Sequence, residues 1–317
     1  MSLLYIGQQL YIYFGLSLFI IGLIGNAINI FIFTYERTYR AIPSIFYFLI
    51  GSISNILFVA LGLANRIQLA SYGRDFSDVS IIWCKMRFFL TTVFMLLSLT
   101  CLCLSAIDQV LVTSRNPSVR RHSQIKWAHR IVFIVIIFWL LYGIPTILYY
   151  NISPVRNICT IINIGFSIFI PISVLVILCI IPILIMIPCG WLTYRNIRRT
   201  IALADQNADR QLIKMTFFQV ILVIAGYCPY AITYIYLLIT ANVTKDNQQK
   251  IIDSFMATLV NMTNNVFNCV CTLISFSFYL KNKSYIYIYL GKLLYIFIII
   301  ASFSSNGETS IILSSTR

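Results

Sequence analysis

Seven stretches of this chain run for 20 or more positions without one charged residue, and that pattern limits the available folds more than any other feature. They are residues 1–35, 41–65, 88–107, 131–155, 157–194, 215–244 and 254–280. A helix needs about 20 apolar residues to cross the hydrocarbon core of a bilayer. Buried helices of a large soluble protein rarely run so long without a charge, and 317 residues leave no chain to cover seven of them. Charged residues make up only 10% of the chain, against about 25% in soluble domains, where charge keeps the surface in water. The expected fold is therefore an all-α integral membrane protein, a bundle of seven transmembrane helices in contact with the lipid bilayer. The first stretch lacks a basic start and a small-residue cleavage pattern and is too long for a secretory signal, so it is expected to remain as the first span.

Lys and Arg mark the cytoplasmic side of such a bundle. With the N-terminus outside, sixteen of the 23 basic residues fall on the inner side, among them Arg37, Arg115, Arg120, Arg121, Arg195 and Lys214, and seven on the outer side. The sequence thus places the N-terminus outside and the C-terminus inside. The net charge of +14 is read as an inner rim facing anionic lipid. A nucleic-acid partner is not expected, because no soluble face exists to carry a basic groove.

Seven of the nine cysteines lie inside apolar stretches, where a thiol behaves as a small hydrophobe. The other two stand apart. Cys84 opens the third span on its outer side, and Cys159 lies in the outer loop between spans four and five. Both would face the oxidising compartment, where a disulfide forms and persists. Such a bond would tie the second outer loop to the top of the third helix, and topology leaves few rival pairings. No metal site is expected: His122 and His129 share one inner loop with no cysteine nearby.

The spans are expected at about Leu10–Thr34, Ser44–Asn65 and Cys84–Asp108 for the first three. The fourth carries Trp139 and Pro145, the fifth Pro171, Pro182 and Pro188, the sixth Pro229, and the seventh the asparagines Asn261, Asn264, Asn265 and Asn268. The sequence divides into a membrane domain, 1–283, and a tail, 284–317. Residues 285–303 of that tail are apolar apart from Lys292. A short helix lying on the inner membrane surface is the preferred reading; an eighth span and a faulty gene model are the alternatives.

Several residues in this order resemble the rhodopsin-like (class A) family of G-protein-coupled receptors, over about residues 10–285. Gly25-Asn26 resembles the Gly-Asn pair of the family's first helix, and Cys84 the cysteine that tops its third. Asp108-Gln109-Val110 falls at the family's Asp-Arg-Tyr, Trp139 at the tryptophan of the fourth helix and Pro182 at the proline of the fifth. Tyr227-Cys228-Pro229 falls at Trp-x-Pro in the sixth, and 275–279, ending in Tyr279, at Asn-Pro-x-x-Tyr in the seventh. The departures are specific. Asn55 stands where the family has the second-helix aspartate that, with a serine like Ser98, holds sodium. Gln109 replaces the arginine, Tyr227 the tryptophan, and the seventh-helix proline is missing. Asp-Gln in that place is similar to divergent invertebrate orphan members.

The resemblance implies a multi-pass receptor of the plasma membrane, with an extracellular ligand and a heterotrimeric G protein as partners and no cofactor. It places ligand contacts at Thr91, Met95, Tyr227, Tyr230, Tyr234, Asn261 and Asn265. Activation and G-protein coupling fall to Asp108, Gln109, Pro229 and Tyr279. Asn26, Asn55 and Ser98 would form a polar core of the kind that glues membrane helices. The residues themselves agree in part. Tyr227, Tyr230 and Tyr234 share one helical face, although a tyrosine stripe also serves packing. Pro229 removes a backbone hydrogen bond, which gives either a hinge or a static kink. Asp108, at the inner end of its span, would contact Arg115 or Arg120, or simply be solvated. Thr91 is not an acid, so a monoamine has no ammonium partner; the outer mouth sets Arg66, Arg87 and Arg156 against Asp75, Asp78 and Asp253, and a peptide or a small acidic or neutral ligand fits it better. Asn151-Ile-Ser and Asn242-Val-Thr are glycosylation sequons on outer loops.

A transporter or channel is the rival class, but intramembrane charges and paired repeats are missing. A receptor-like protein that does not signal is a second rival, because of the departures. An enzyme is not expected: no His-Glu-x-x-His, no paired intramembrane aspartates and no serine–histidine arrangement occurs.

Overall fold

The computed structural model describes residues 3–35, 41–73, 78, 80–153, 158–198, 207–240, 243 and 245–280, without the side chains of 4, 197–198, 207–217, 219–220, 238 and 266–280. The tail expected to carry a surface helix, the Asn242 sequon and the side chain of Tyr279 lie outside the described residues. The chain divides into two units, Met1–Ser275 and Phe276–Arg317. Of the second unit, the described part is the helical stretch to Leu280.

Among the described residues, seven long helical rods follow one another. The first joins α1 (Leu3–Leu10), a π-helical turn (Tyr11–Gly15) and α2 (Leu16–Tyr35) without a break. Next come α3 (Pro43–Tyr72) and α4 (Ile81–Thr113), then a short α5 (Pro117–Arg120) and α6 (Ile125–Tyr149). A two-stranded hairpin, β1 (Tyr150–Ile152) against β2 (Cys159–Ile161), precedes the fifth rod. That rod consists of α7 (Ile164–Ser173), a second π-helical stretch (Val174–Ile180) and α8 (Ile181–Arg198). Last are α9 (Asn207–Ile239) and α10 (Asn247–Leu280).

Local chemistry sets the ends. Pro43 stands in the first turn of α3, where its missing N–H costs nothing. Gly73 ends that helix in the left-handed region (φ 67°), its N–H on Leu69 O at 2.9 Å. The side chain of Ser80 caps α4, that of Asn116 caps α5, and that of Asn163 caps α7. The second π-helical stretch lies between Pro171 and Pro182, each of which denies the ladder one N–H and loosens the winding.

The rods overrun the uncharged stretches. Arg66 rides in the last turns of α3, and Lys85 and Arg87 in the first turns of α4. At about 1.5 Å per residue, the 33 residues of α4 reach about 50 Å, well beyond a hydrocarbon core of about 30 Å. Charged ends of that kind lie at headgroup level.

By length and composition, five rods among the described residues are apolar enough to cross a membrane: Tyr5–Tyr35, Pro43–Tyr72, Ile81–Thr113, Ile125–Tyr149 and Ile164–Asn196. In the sixth, the apolar part among the described residues is Ile221–Leu237. The outward faces are greasy. Phe133 and Leu141 of α6 are 65% and 60% exposed, and Leu184 of α8 is 67% exposed. A water-facing surface would not tolerate such a run, so these faces are matched to lipid.

α4 sits centrally, packed against α3, α6, α8 and α9. The larger apolar cluster gathers Val93, Leu96 and Leu97 of α4 with Trp139, Leu178 and Tyr227. A smaller one joins Tyr11 and Leu18 of the first rod to Phe58 and Leu63 of α3 and Met262 of α10. Trp139 donates from Nε1 to the Thr100 hydroxyl at 3.0 Å, fixing α6 on α4. One turn further, Gly143 lets the two helices close in: a Cβ there would stand 2.7 Å from the Phe89 ring.

Candidate functional site

The hairpin covers the end of the bundle that carries Cys84. Cys84 and Cys159 form a disulfide, with their Cα atoms 5.8 Å apart. The Cys159 N–H also donates to Asp78 at 2.8 Å. Tyr150 stacks on Phe88 of α4 with centroids 4.2 Å apart, and the Arg87 guanidinium lies 4.4 Å from the centre of the Phe88 ring. Burial, and to a lesser extent Tyr234, pushes the Tyr150 hydroxyl up to about 12, against the pull of Arg87 and Arg66. The hydroxyl is therefore neutral, and able to donate, at any physiological pH.

Beneath the hairpin lies a cavity of about 230 Å³, walled by α3, α4, α6, α7, α9 and α10. Six of the seven residues expected to contact a ligand line it: Thr91, Met95, Tyr230, Tyr234, Asn261 and Asn265. Tyr227 does not. It is buried one turn deeper, in the packed cluster between α9 and its neighbours. The walls carry a defined set of polar atoms. Tyr230 donates its hydroxyl to that of Tyr234 at 3.1 Å. Asn261 and Asn265 turn their amide N–H groups onto the helix carbonyls of Ala257 and Asn261, at 2.7 and 3.0 Å. The Thr91 hydroxyl is buried with no hydrogen-bond partner among the described residues.

Arg66 also lines the cavity and is exposed. Among the described residues, no carboxylate belongs to the lining. The described acids nearby are engaged elsewhere, Asp78 with the Cys159 N–H and Asp253 with Lys245 at 2.5 Å. The sequence places Arg66 only at the outer mouth and gives no sign of Phe88, Tyr142, Tyr150 and Phe166 in the walls. Those four are ordinary aromatic residues in a chain that is 15% aromatic, and only the fold singles them out.

At the opposite end of α4, four polar side chains form a closed set. Ser44 of α3 donates to Asp108 Oδ2, Ser123 donates to Asp108 Oδ1 at 2.6 Å, and Gln109 Nε2 donates to the Ser44 oxygen at 3.0 Å. Asp108 and Gln109 are both buried. The carboxylate thus accepts from two serine hydroxyls, partners that the sequence reading, which offered Arg115, Arg120 or solvent, does not name. Serine is short and uncharged, so it reaches the acid where α3, α4 and the loop before α6 converge. Nearby, Thr113 is linked to Asn196 of α8 at 3.4 Å.

Between the two ends, Ser98 donates to Asn55 Oδ1 at 2.7 Å, joining α4 to α3. Asn26 does not join them. Its amide donates to Gly22 O of its own helix at 2.7 Å, the local back-bonding open to a short polar side chain. Pro229 lies inside α9. Just before it in the chain, the Tyr227 carbonyl accepts from the Cys179 thiol at 3.1 Å, in the π-helical stretch of the fifth rod. Among the described residues, no group of His, Cys, Asp or Glu could hold a metal ion.

The model of one family, described as 7 transmembrane receptor (rhodopsin family), matches residues 25–273. No curated protein matches the chain.

Proposed function

The chain belongs to the rhodopsin family of seven-transmembrane receptors, and from that premise we propose that it binds a peptide or a small acidic or neutral ligand from outside the cell. In this reading α9 and α10 cross the membrane as the sixth and seventh spans, the Cys84 end faces outward and the Asp108 end faces the cytosol. The ligand occupies the cavity beneath the hairpin, and movement of α9 passes the signal to a heterotrimeric G protein. The sequence-wide excess of Lys and Arg at the Asp108 end supports the orientation.

The observation that carries the ligand class is Arg66: a cation in a lining that, among the described residues, holds no carboxylate. An ammonium ligand would meet repulsion there and no partner at Thr91, whereas an anionic group would gain a charge-assisted bond. The cavity of about 230 Å³ lies just below the usual range of about 300–1,000 Å³ for small-molecule pockets. It suits a small acid or the tip of a peptide. Pro229 supports movement of α9, because a helix that lacks one ladder bond bends there at little cost.

The test is to challenge cells expressing the chain with pools of carboxylated and phosphorylated metabolites and acidic peptides, reading G-protein dissociation for each Gα class. The expected hit loses potency by about tenfold or more in R66A at equal surface expression, the loss of one charge-assisted bond. Substrate-driven current or flux without nucleotide exchange on any G protein would make the chain a transporter instead.

A further inference from the structure

Thr91 differs from the threonines further along its own helix. Thr100 and Thr113 each donate their hydroxyl to the carbonyl four residues back, both at 2.7 Å, the local bond open to a threonine in a helix. The Thr91 hydroxyl is instead buried in the cavity wall with no partner among the described residues. A buried hydroxyl without a partner is costly, and a polar group entering the cavity removes that cost. Gly62 sets the depth of Thr91 relative to Arg66. A Cβ at Gly62 of α3 would stand 3.6 Å from the Thr91 methyl carbon, so the two residues are level. Arg66 lies one turn further along α3 toward the end that carries Cys84, a rise of about 6 Å at 1.5 Å per residue. A cation and an unmatched hydroxyl therefore line one cavity about one turn apart. The rest of the wall is rich in rings. Eight of the 23 lining residues are aromatic, against 15% of the chain. Two pairs among them, Phe88 with Tyr150 and Tyr230 with Tyr234, have centroids 4.2 and 4.6 Å apart. A guest ring gains from pairing with such walls beyond the area it buries, and an aliphatic guest does not.

We propose that the cavity takes a small aromatic acid with a hydroxyl across the ring from its anionic group. The anion sits on Arg66, the ring lies among the aromatic walls, and the hydroxyl bonds Thr91 Oγ1. A single ring with a group at each end spans about the separation of the two sites. Thr91 both donates and accepts, so a hydroxyl suits it in either sense. This inference rests on the acidic-ligand reading of Arg66. The same chemistry occurs in a free acid and in the carboxyl-terminal tyrosine of a peptide.

The experiment titrates the full chain, purified in detergent, with para-hydroxyphenylpropionate, phenylpropionate, cyclohexylpropionate, N-acetyltyrosine and para-hydroxyphenethylamine. The rise of the unfolding temperature with probe concentration gives an apparent affinity. Para-hydroxyphenylpropionate is expected to bind about fivefold tighter than phenylpropionate, the effect of one neutral hydrogen bond. Phenylpropionate is expected to bind about threefold or more tighter than cyclohexylpropionate, the effect of ring pairing. The amine is expected not to bind. T91V should abolish the preference for the hydroxyl and leave phenylpropionate unchanged. Its unfolding temperature without probe should not fall, because the Thr91 hydroxyl has no partner to lose. N-acetyltyrosine tighter than para-hydroxyphenylpropionate supports the chemistry with a peptide end as its source, and the reverse order supports it with a free acid. A hydroxyl preference that survives in T91V overturns the proposal, and so does a cyclohexyl acid that binds as well as the phenyl one. In either case, a loss of about tenfold for the acids in R66A keeps the acidic-ligand reading intact. No shift with any probe also overturns the proposal, and binding of the amine alone overturns the acidic-ligand reading with it.

Discussion

The Ser98 hydroxyl is held 2.7 Å from Asn55 Oδ1, with both side chains buried between α4 and α3. The pair is neutral, and it occupies the place where the resemblance to the rhodopsin-like family sets a carboxylate and a sodium ion. Without that carboxylate a monovalent cation would be desolvated with no charge to receive it. The unfolding temperature of the detergent-purified receptor should therefore be the same in sodium and potassium at equal ionic strength. N55D should make it rise in sodium. S98A should leave the Asn55 oxygen buried without its donor and cost about 1–3 kcal/mol.

The contact between Gly143 and Phe89 sets how closely α6 approaches α4. A methyl group at 143 would stand 2.7 Å from two ring carbons of Phe89 and 3.1 Å from Val93, so the ring must move. G143A is expected to destabilise by about 1–3 kcal/mol, the usual cost of overpacking. Because the clash lies with one ring, F89L should restore much of the loss, and the double mutant should be more stable than the sum of the singles implies. Thermal unfolding of the four proteins tests it; strict additivity would place the strain elsewhere.

The hairpin is tied down by one covalent bond and one side-chain hydrogen bond, Cys84–Cys159 and Asp78 to the Cys159 N–H. C84S, C159S and the double mutant should show the same loss of stability, of order 2–5 kcal/mol, because each removes the same bond. Surface expression and the unfolding midpoint with and without reductant measure it. A double mutant clearly worse than either single would mean that the two thiols do not act as a pair.

Tyr230 and Tyr234 share a hydrogen bond inside the cavity. Y234F removes the acceptor while keeping the ring, so the Tyr230 hydroxyl is freed to point at the ligand. Ligand affinity is expected to change by about five- to tenfold, with little effect on expression, since one neutral hydrogen bond contributes about 0.5–1.5 kcal/mol. Y227F, one turn deeper and off the cavity wall, should leave affinity unchanged. Radioligand or competition binding distinguishes the two.

The membrane helices are legible because charge is excluded from lipid, and that exclusion is written directly into residues 41–65 or 157–194. Helix ends are less legible. Arg66 falls just past the expected second span, yet it continues its helix, because a long basic side chain reaches water from a helical backbone. Residues on one helical face, such as Tyr230 with Tyr234 and Asn261 with Asn265, follow from spacing alone, and the cavity gathers them. Tyr227 is on the same face, but depth along the helix, which spacing does not encode, puts it out of the lining. Asn26 and Asp108 stand out in the sequence as polar groups of the bundle, but their partners do not. Sequence gives a side chain's chemistry, whereas Gly22 O for the one and Ser44 and Ser123 for the other are choices made by packing. The Phe88 and Tyr150 stack has no sequence signal at all, because it depends on where the hairpin folds back over α4.

The proposed ligand cavity and the proposed G-protein face both require the Cys84 end to point outward and the Asp108 end to point into the cytosol. Single cysteines placed at Gln124 and at Asn247, each in a chain whose reactive surface thiols have been removed, report this directly when intact cells are treated with a membrane-impermeant maleimide. Labelling is expected at 247 from outside, and at 124 only after permeabilisation. Labelling of 124 on sealed cells, with 247 protected until they are opened, would contradict this orientation and remove both the cavity and the G-protein face from their assigned compartments.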